Sequence, residues 1–433
     1  VGTIIDLTVG GLEVDWSKNH RGIDHGMLFQ DCDRQYVRSD QIDYNYLQER
    51  GLSAADREMA FSRPLRTLVP RLELLGYRIE TVRHVYEQLA KQWKESRATN
   101  GELHEGPVEP LSFDELLSFV KAHAIQSLND EYVEDLGDEG TKAIRGRFEG
   151  SEFAERIPSD SECFSNAYSE RSYFGVLITF LPTYAVLRLL AENPVNLDLD
   201  VVWQYGPLVH AGWADVSEFV PCARREQTIL IATEGSSDIH ILKRAIELLR
   251  PEVADFFRFI DISERHPFSG TGSLVKFAEG LAKIDVQNQV IFLLDNDAEG
   301  VDAYENIQRF KLPANMRAMV LPALDEFRSF PARGPEGINN SDINGRAAAI
   351  ECYLDLNLPN YAPATVVWTN YKKEREIYQG SLEFKDTYTR AFMALTAETI
   401  QTCNYDTRKL EHVLSSLFEE SSLLVASAMA SSS

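Results

Sequence analysis

A chain of 433 residues with 44% hydrophobic and 10% aromatic residues has the composition of a folded protein and is too long for one ordinary core, so two or three domains are expected. Its formal net charge of -24 disfavours broad, non-specific adhesion to nucleic acid or an anionic membrane, while leaving room for a local basic groove or divalent ions that neutralise phosphate at one place. No apolar run has the length of a bilayer span, and the opening VGTIIDLTVGGLEVDW lacks the basic and continuous apolar regions of a signal peptide, which points to a cytoplasmic protein without membrane contact.

TIIDLTVGGLEVDW alternates apolar and polar residues about a Gly-Gly pair, which predicts a hairpin. SAADREMAFSRPLRTLVPRLELLGYRIETVRHVYEQLAKQW then shows helical spacing, with Ser53 as N-cap and a stop at Gly76. LSFDELLSFVKAHAIQSL reads as a further amphipathic helix, opened by Ser112 with Glu115 three residues on, a capping box. Residues 129–172 are acidic and poor in apolar runs, and mixed short helix and loop is expected there. YFGVLITFLPTYAVLRLLAENP predicts one buried helix ended by Asn193-Pro194, and LDLDVVWQYG a strand. The five cysteines, Cys32, Cys163, Cys222, Cys352 and Cys403, show no CxxC and no histidine at metal-ligand spacing, so reduced, mostly packed thiols are expected rather than a zinc site. His20, His25 and His84 read as structural. Arg97 and His104 have the loose spacing of a HEPN ribonuclease motif, but the Asn-Gly between them signals a turn where that motif needs helix.

Near residue 225 the rhythm changes. TILIAT, FFRFIDI, QVIFLLD and RAMVLP are continuous apolar runs, separated by helical patterns near residues 237–250, 272–284 and 299–311. Such strands linked by helices predict a parallel sheet covered on both faces, a small doubly wound α/β domain. A Gly/Pro/Asn-rich loop, a helix at AAAIECYLDL, an extended ATVVWTNY and helices to residue 422 follow, and the tail ASAMASSS reads as frayed.

In open parallel sheets ligands sit outside the carboxyl ends of the strands, and two strands here end in acid. The first leads to Glu234, with Asp238 one turn on, and the third to Asp295-Asn296-Asp297. Right-handed crossovers bring both to one edge of the sheet. Carboxylates crowded there repel one another unless a hard divalent cation is present, and oxygen-only ligands select Mg²⁺ or Mn²⁺, ions that typically act on phosphates. PFSGTGSLVKF offers Gly270, Gly272 and Ser273 at a helix N-terminus as a phosphate cradle, against the plainer reading of a loop and cap.

The pairing of EGxxD in ATEGSSDIHIL with DxD in FLLDNDAEG resembles the Toprim domain of topoisomerases, DnaG-type primases and overcoming-lysogenization-defect nucleases, over roughly residues 226–330. The resemblance implies Glu234 as general acid or base, Asp295 and Asp297 as metal ligands, and Asp238 at the place used for a second ion. AAAIECYL resembles the element after the sheet in Toprim nucleases, which would add Glu351 to the metal site, and Lys385 would steady phosphate charge. The start IIDLTVGGLEVDWSKNHRGIDHGMLFQ resembles bacterial proteins with a HEPN/Toprim-associated domain, found in contexts suggestive of phage defence.

The domains expected are therefore 1–225, associated and mainly helical after a hairpin; 226–330, Toprim-like α/β; and 331–433, an extension that completes it. The function expected is cleavage of DNA or RNA phosphodiesters with two Mg²⁺ or Mn²⁺ ions, by a toxic effector in anti-phage defence, with a partner ATPase, an inhibitory protein or a homo-oligomer compatible. The alternative is a non-catalytic subunit that docks a partner ATPase or nucleic acid. VIFLLDND looks like a Walker B strand, but the chain has no GxxxxGK[ST], so it is not itself a P-loop ATPase. A DxD phosphatase would carry its aspartates after the first strand, a topoisomerase needs a tyrosine-bearing partner domain, and a primase brings zinc-binding cysteines.

Overall fold

The structure, a computed structural model, describes residues 2–39, 42–99, 109–134, 137–158, 167–260, 270–284, 286–359, 361–373, 375–402 and 404–432. The chain divides into two compact units, Val1–Ala223 and Arg224–Ser433.

The first unit opens with the expected hairpin, β1 (Ile4–Val9) and β2 (Leu12–Lys18). Val9 pairs with Leu12, so Gly10 and Gly11 form a two-residue loop, and both have positive φ (56° and 86°), the conformation a primed turn requires. Three further strands, β3 (Arg34–Tyr36), β4 (Met59–Pro64) and β5 (Asp200–Gln204), complete an antiparallel sheet in the order β2-β1-β5-β4-β3. The segment read as continuous helix from Ser53 is thus interrupted: a short helix, Ala55–Glu58, gives way to β4 before the helix Leu65–Leu74. Pairing on both sides, with β5 and with β3, supplies β4 with the hydrogen bonds that a helix would have drawn from its own backbone. Gly76, at φ 93°, ends that helix as expected.

YFGVLITFLPTYAVLRLLAENP forms two helices, Glu170–Ile178 and Thr183–Leu190, bent by 117°. Pro182 has no N–H for a helical bond and sits as N-cap of the second. The core of the unit centres on aromatic rings: Trp203 stacks on Phe61 at 6.0 Å, and Tyr205 on Phe219 at 4.6 Å. His25 is buried in the expected structural role, with Asp15 at 2.8 Å and the Tyr184 hydroxyl at 3.2 Å. Both halves of the Ser112/Glu115 capping box are made. Arg97 stacks over Trp93 at 4.9 Å, and His104 lies outside the described residues.

The second unit is built on β6 (Ile229–Ala232), β7 (Phe257–Phe259), β8 (Gln289–Leu294) and β10 (Met316–Val320), all parallel, in the order β10-β8-β6-β7; β9 is the pair Asn296–Asp297. Alternate residues of each strand serve opposite faces. Ala232, Val290, Phe292 and Leu294 share one core with Leu274 and Ala278 of the helix Thr271–Lys283 and with Ala303 and Ile307 of the helix Ala298–Gln308. On the other face Ile229, Ile231, Ile291 and Leu293 are buried, and the helices Ser236–Leu249 and Arg408–Ser432 pack together there. Burying a side chain such as Phe292 contributes roughly 1.5–3 kcal/mol. This is the α/β fold expected.

A second, mixed sheet follows, β12-β11-β14-β15, from β11 (Phe330–Gly334), β12 (Gly337–Ser341), β14 (Val366–Lys372) and β15 (Ile377–Leu382). AAAIECYLDL is not the helix expected: Ala347–Ala348 is a short strand, β13, paired with β9, and Ile350–Tyr353 is a single 3-10 turn. The tail read as frayed continues the helix Arg408–Ser432. Three cysteines are described and all are free, Cys352 buried, Cys222 half-buried and Cys32 exposed; Cys163 and Cys403 lie outside the described residues.

Candidate active site

β6 leads to β7 on one side of itself, and the chain then crosses to β8 on the other side. The strand order therefore reverses between β6 and β8, the point in an open α/β sheet where a crevice forms outside the carboxyl ends. Glu234 follows β6 and Asp295 follows β8, so the acids flank that point. They are in contact, since the Asp295 N–H donates to Glu234 Oε1 at 3.2 Å.

Backbone groups fix each carboxylate. The Gly235 N–H donates to Asp238 Oδ2 at 3.0 Å, and the Ile350 N–H to Asp295 Oδ1 at 3.1 Å. Asp297 caps the helix Ala298–Gln308, its Oδ1 accepting from the Glu299 and Gly300 N–H groups at 2.9 and 2.7 Å. The second oxygen of Glu234, Asp295 and Asp297 takes no part in these bonds. Between the aspartates, the buried Asn296 accepts from the Gly345 N–H at 2.8 Å and meets Asn344, which ties the pair to β13. Gly300 is required by space: a Cβ there would stand 2.1 Å from the Asp295 carbonyl oxygen.

The result is crowding of like charge. Burial, then Asp297, pushes the Glu234 carboxyl up to about 8, and burial, then Glu351, pushes Asp238 up to about 7. Asp295 is raised well above the ordinary range by burial and by Asp238, Glu234, Asp297 and Glu351 together, and Asp297 is raised by burial. Lys385 answers part of this charge. Its Nζ lies 3.5 Å from the buried Glu351, whose field raises the lysine.

Glu234, Asp238, Asp295, Asp297, Glu351 and Lys385 thus come together, although they lie on four separate stretches of chain. Gly270, Gly272 and Ser273 form the first turn of the helix Thr271–Lys283 and its N-cap; among the described residues, none of them hydrogen-bonds to the carboxylates. Sequence reasoning missed Asn344 and Gly345, which hold Asn296, and Arg346, whose backbone bridges to Asp297. Only the Gly/Asn-rich loop marked them. The donor set, all carboxylate and mutually repelling, fits a hard dication in its chemistry. Among the described residues, no three His, Cys, Asp or Glu side chains converge on one point as they stand, so a cation would require side-chain rotation.

Residues 1–227 match the family model described as HEPN/Toprim N-terminal domain 1, and the chain belongs to that family. Membership associates it with a nuclease-type role. No curated protein and no solved structure gives a significant match. Among the described residues no single helix is long and apolar enough to cross a membrane; the bent pair Glu170–Ile178 and Thr183–Leu190 passes that test only jointly.

Proposed function

We propose that the protein is a divalent-metal-dependent nuclease of Toprim type that hydrolyses phosphodiester bonds in DNA or RNA. The observation that carries this reading is the group of buried, mutually repelling carboxylates at the switch point of a parallel sheet, with a lysine at its rim. Glu234, Asp238, Asp295, Asp297 and Glu351 are the residues that would hold Mg²⁺ or Mn²⁺, with enough oxygens for two ions. When bound, such a cation polarises the phosphoryl oxygen and offsets the charge that builds on it. Glu234, raised to about 8, is suited to carry a proton at neutral pH, its Oε1 held by the Asp295 N–H and its Oε2 left to exchange it. Lys385, about half exposed, can meet a phosphate oxygen while remaining beside Glu351. The turn at Gly270, Gly272 and Ser273 is a second place for a phosphate.

We further propose that the protein acts as a toxic effector in anti-phage defence in the cytoplasm, restrained by an inhibitory protein or driven by a partner ATPase; family membership supports the nuclease-associated part of this reading. A second reading, a binding subunit without catalysis, is favoured by the lack of three convergent ligands among the described residues. The two separate on a panel of plasmid, single-stranded DNA, total RNA and transfer RNA with Mg²⁺ or Mn²⁺. The nuclease reading expects cutting by the wild type that is lost in Glu234→Ala and in Asp295→Ala/Asp297→Ala. Cutting that survives in both variants would refute the site.

A further inference from the structure

β14 and β15 carry aromatic rings on one open face, and the chain runs from that face into the candidate site. Tyr371 and Tyr378 stand directly opposite in register with ring centroids 4.9 Å apart, and Tyr378 lies 6.3 Å from Trp368. Trp368 is opposite Gly380. A Cβ on Gly380 would come within 2.9 Å of Trp368 Cε3, and one on Gly334 within 3.3 Å of its Cδ1. Glycines on both neighbouring strands thus leave room for the indole along the sheet surface.

Core packing does not account for these rings, because Tyr371 and Tyr378 are 44% and 47% exposed. Just past β15, Phe384 is 73% exposed and holds φ at 55°, a left-handed conformation that costs a bulky residue energy and points to a local role. The next residue is Lys385. Lys385 lies seven positions along the chain from Tyr378, which keeps that residue's backbone within about 25 Å of the lysine.

We propose that this face is a stacking platform for single-stranded nucleic acid, the substrate class of the carboxylate site. The proposal rests on the nuclease reading given above. Unpaired bases can lie on Tyr371, Tyr378 and Phe384, whereas a duplex keeps its base faces within its own stack. Charge permits the approach: from Phe330 to Lys385 the chain has six Lys or Arg against seven Asp or Glu, near balance in a chain of net charge -24. Lys373, exposed beside Tyr371, is placed to meet the backbone of such a strand.

The test is fluorescence anisotropy of the full chain in EDTA, with a labelled single-stranded oligonucleotide, as DNA and as RNA, and the blunt duplex of the same sequence. The wild type is expected to prefer the single strand by about ten-fold or more, and Tyr371→Ala/Tyr378→Ala or Phe384→Gly to weaken that binding by about ten-fold or more, with duplex binding unchanged. Tyr371→Phe/Tyr378→Phe, which keeps the rings, should bind nearly as the wild type does. Equal affinity for the duplex, no binding of either form, or single-strand binding untouched by ring removal would overturn the platform. The two readings fail separately: ring-dependent binding without cutting on any substrate defeats the nuclease, while single-strand cutting at the wild-type rate by the ring variants defeats the platform.

Discussion

Both units bury ionisable side chains, and they treat them in opposite ways. In Val1–Ala223, Arg63 meets Asp33 at 3.1 Å with side chains 7% and 10% exposed, Arg71 donates to the Met27 and Phe29 carbonyls, and Arg188 pairs with Glu73 and Glu192. Glu170 takes bonds from Arg147 and from the Asn129 N–H. In Arg224–Ser433 the buried acids face one another, and Lys385 and, at longer range, Lys372 are the cations that reach them. Paired charges specify a fold, whereas crowded like charges oppose folding and persist where chemistry uses them. Among the described residues of the first unit Glu13 is an exception, pushed to about 7 by burial, Asp6 and Asp15.

The contrast breaks most visibly if a paired charge proves dispensable. Asp33→Ala leaves Arg63 buried without its partner, and a loss of about 3–5 kcal/mol is expected in urea unfolding followed by the buried Trp203. Asp295→Asn in EDTA should instead leave the protein as stable or more so, because one repelling charge is gone. A cost below about 1 kcal/mol for Asp33→Ala would erase the distinction. Next in size is Gly300→Ala, whose methyl group collides with the Asp295 carbonyl; destabilisation of about 1–3 kcal/mol and loss of any cleavage are expected together. Full activity in that variant would show that the approach of this helix to Asp295 is not needed.

The response to pH sharpens the comparison because its sign differs between the units. Glu234 is raised to about 8 from an ordinary 4.5, so between those values the folded state holds more protons than the unfolded. Its contribution is fully present below 4.5 and is lost as pH rises toward 8. Glu170 has the opposite sign. Burial works against its charge, but Arg147 and backbone N–H groups outweigh that and lower it, so its contribution is present above the ordinary 4.5 and lost as pH falls below it. Unfolding in EDTA across pH 4–8 should show Arg224–Ser433 weakening toward pH 8, with Glu234→Gln removing part of the slope. A slope unchanged by that substitution would contradict the assignment. Smallest is Ser112→Ala, which removes a helix cap at a cost of about 1 kcal/mol, measured by thermal unfolding. No measurable cost would mean that Glu115 alone secures that helix end.

What was legible in the sequence follows from how local each signal is. TILIAT and QVIFLLD declare buried parallel strands by their unbroken apolar runs, and Gly10-Gly11 and Ser112 with Glu115 satisfy their own backbones within a few residues. The acids Glu234, Asp295 and Asp297 could be read because strand ends in such a sheet converge by topology. β4 could not be read so: Met59–Pro64 is a strand because β3 and β5 flank it, a pairing across more than a hundred residues of chain on one side. AAAIECYL has helical composition, yet pairing of Ala347 with Asp297 and the Ile350 N–H bond to Asp295 hold it open. The same tertiary contacts set the carboxylates in place, which is why Asn344, Gly345 and Arg346 were invisible before the fold was known.

The measurement that bears most directly on the carboxylate edge is calorimetric titration of the full chain with Mn²⁺ near neutral pH, comparing wild type, Asp295→Ala/Asp297→Ala and Asp33→Asn. Saturable binding by the wild type and Asp33→Asn, abolished in the double variant, is the predicted result. Equal binding by all three, or none by the wild type, would contradict a metal site at the switch point.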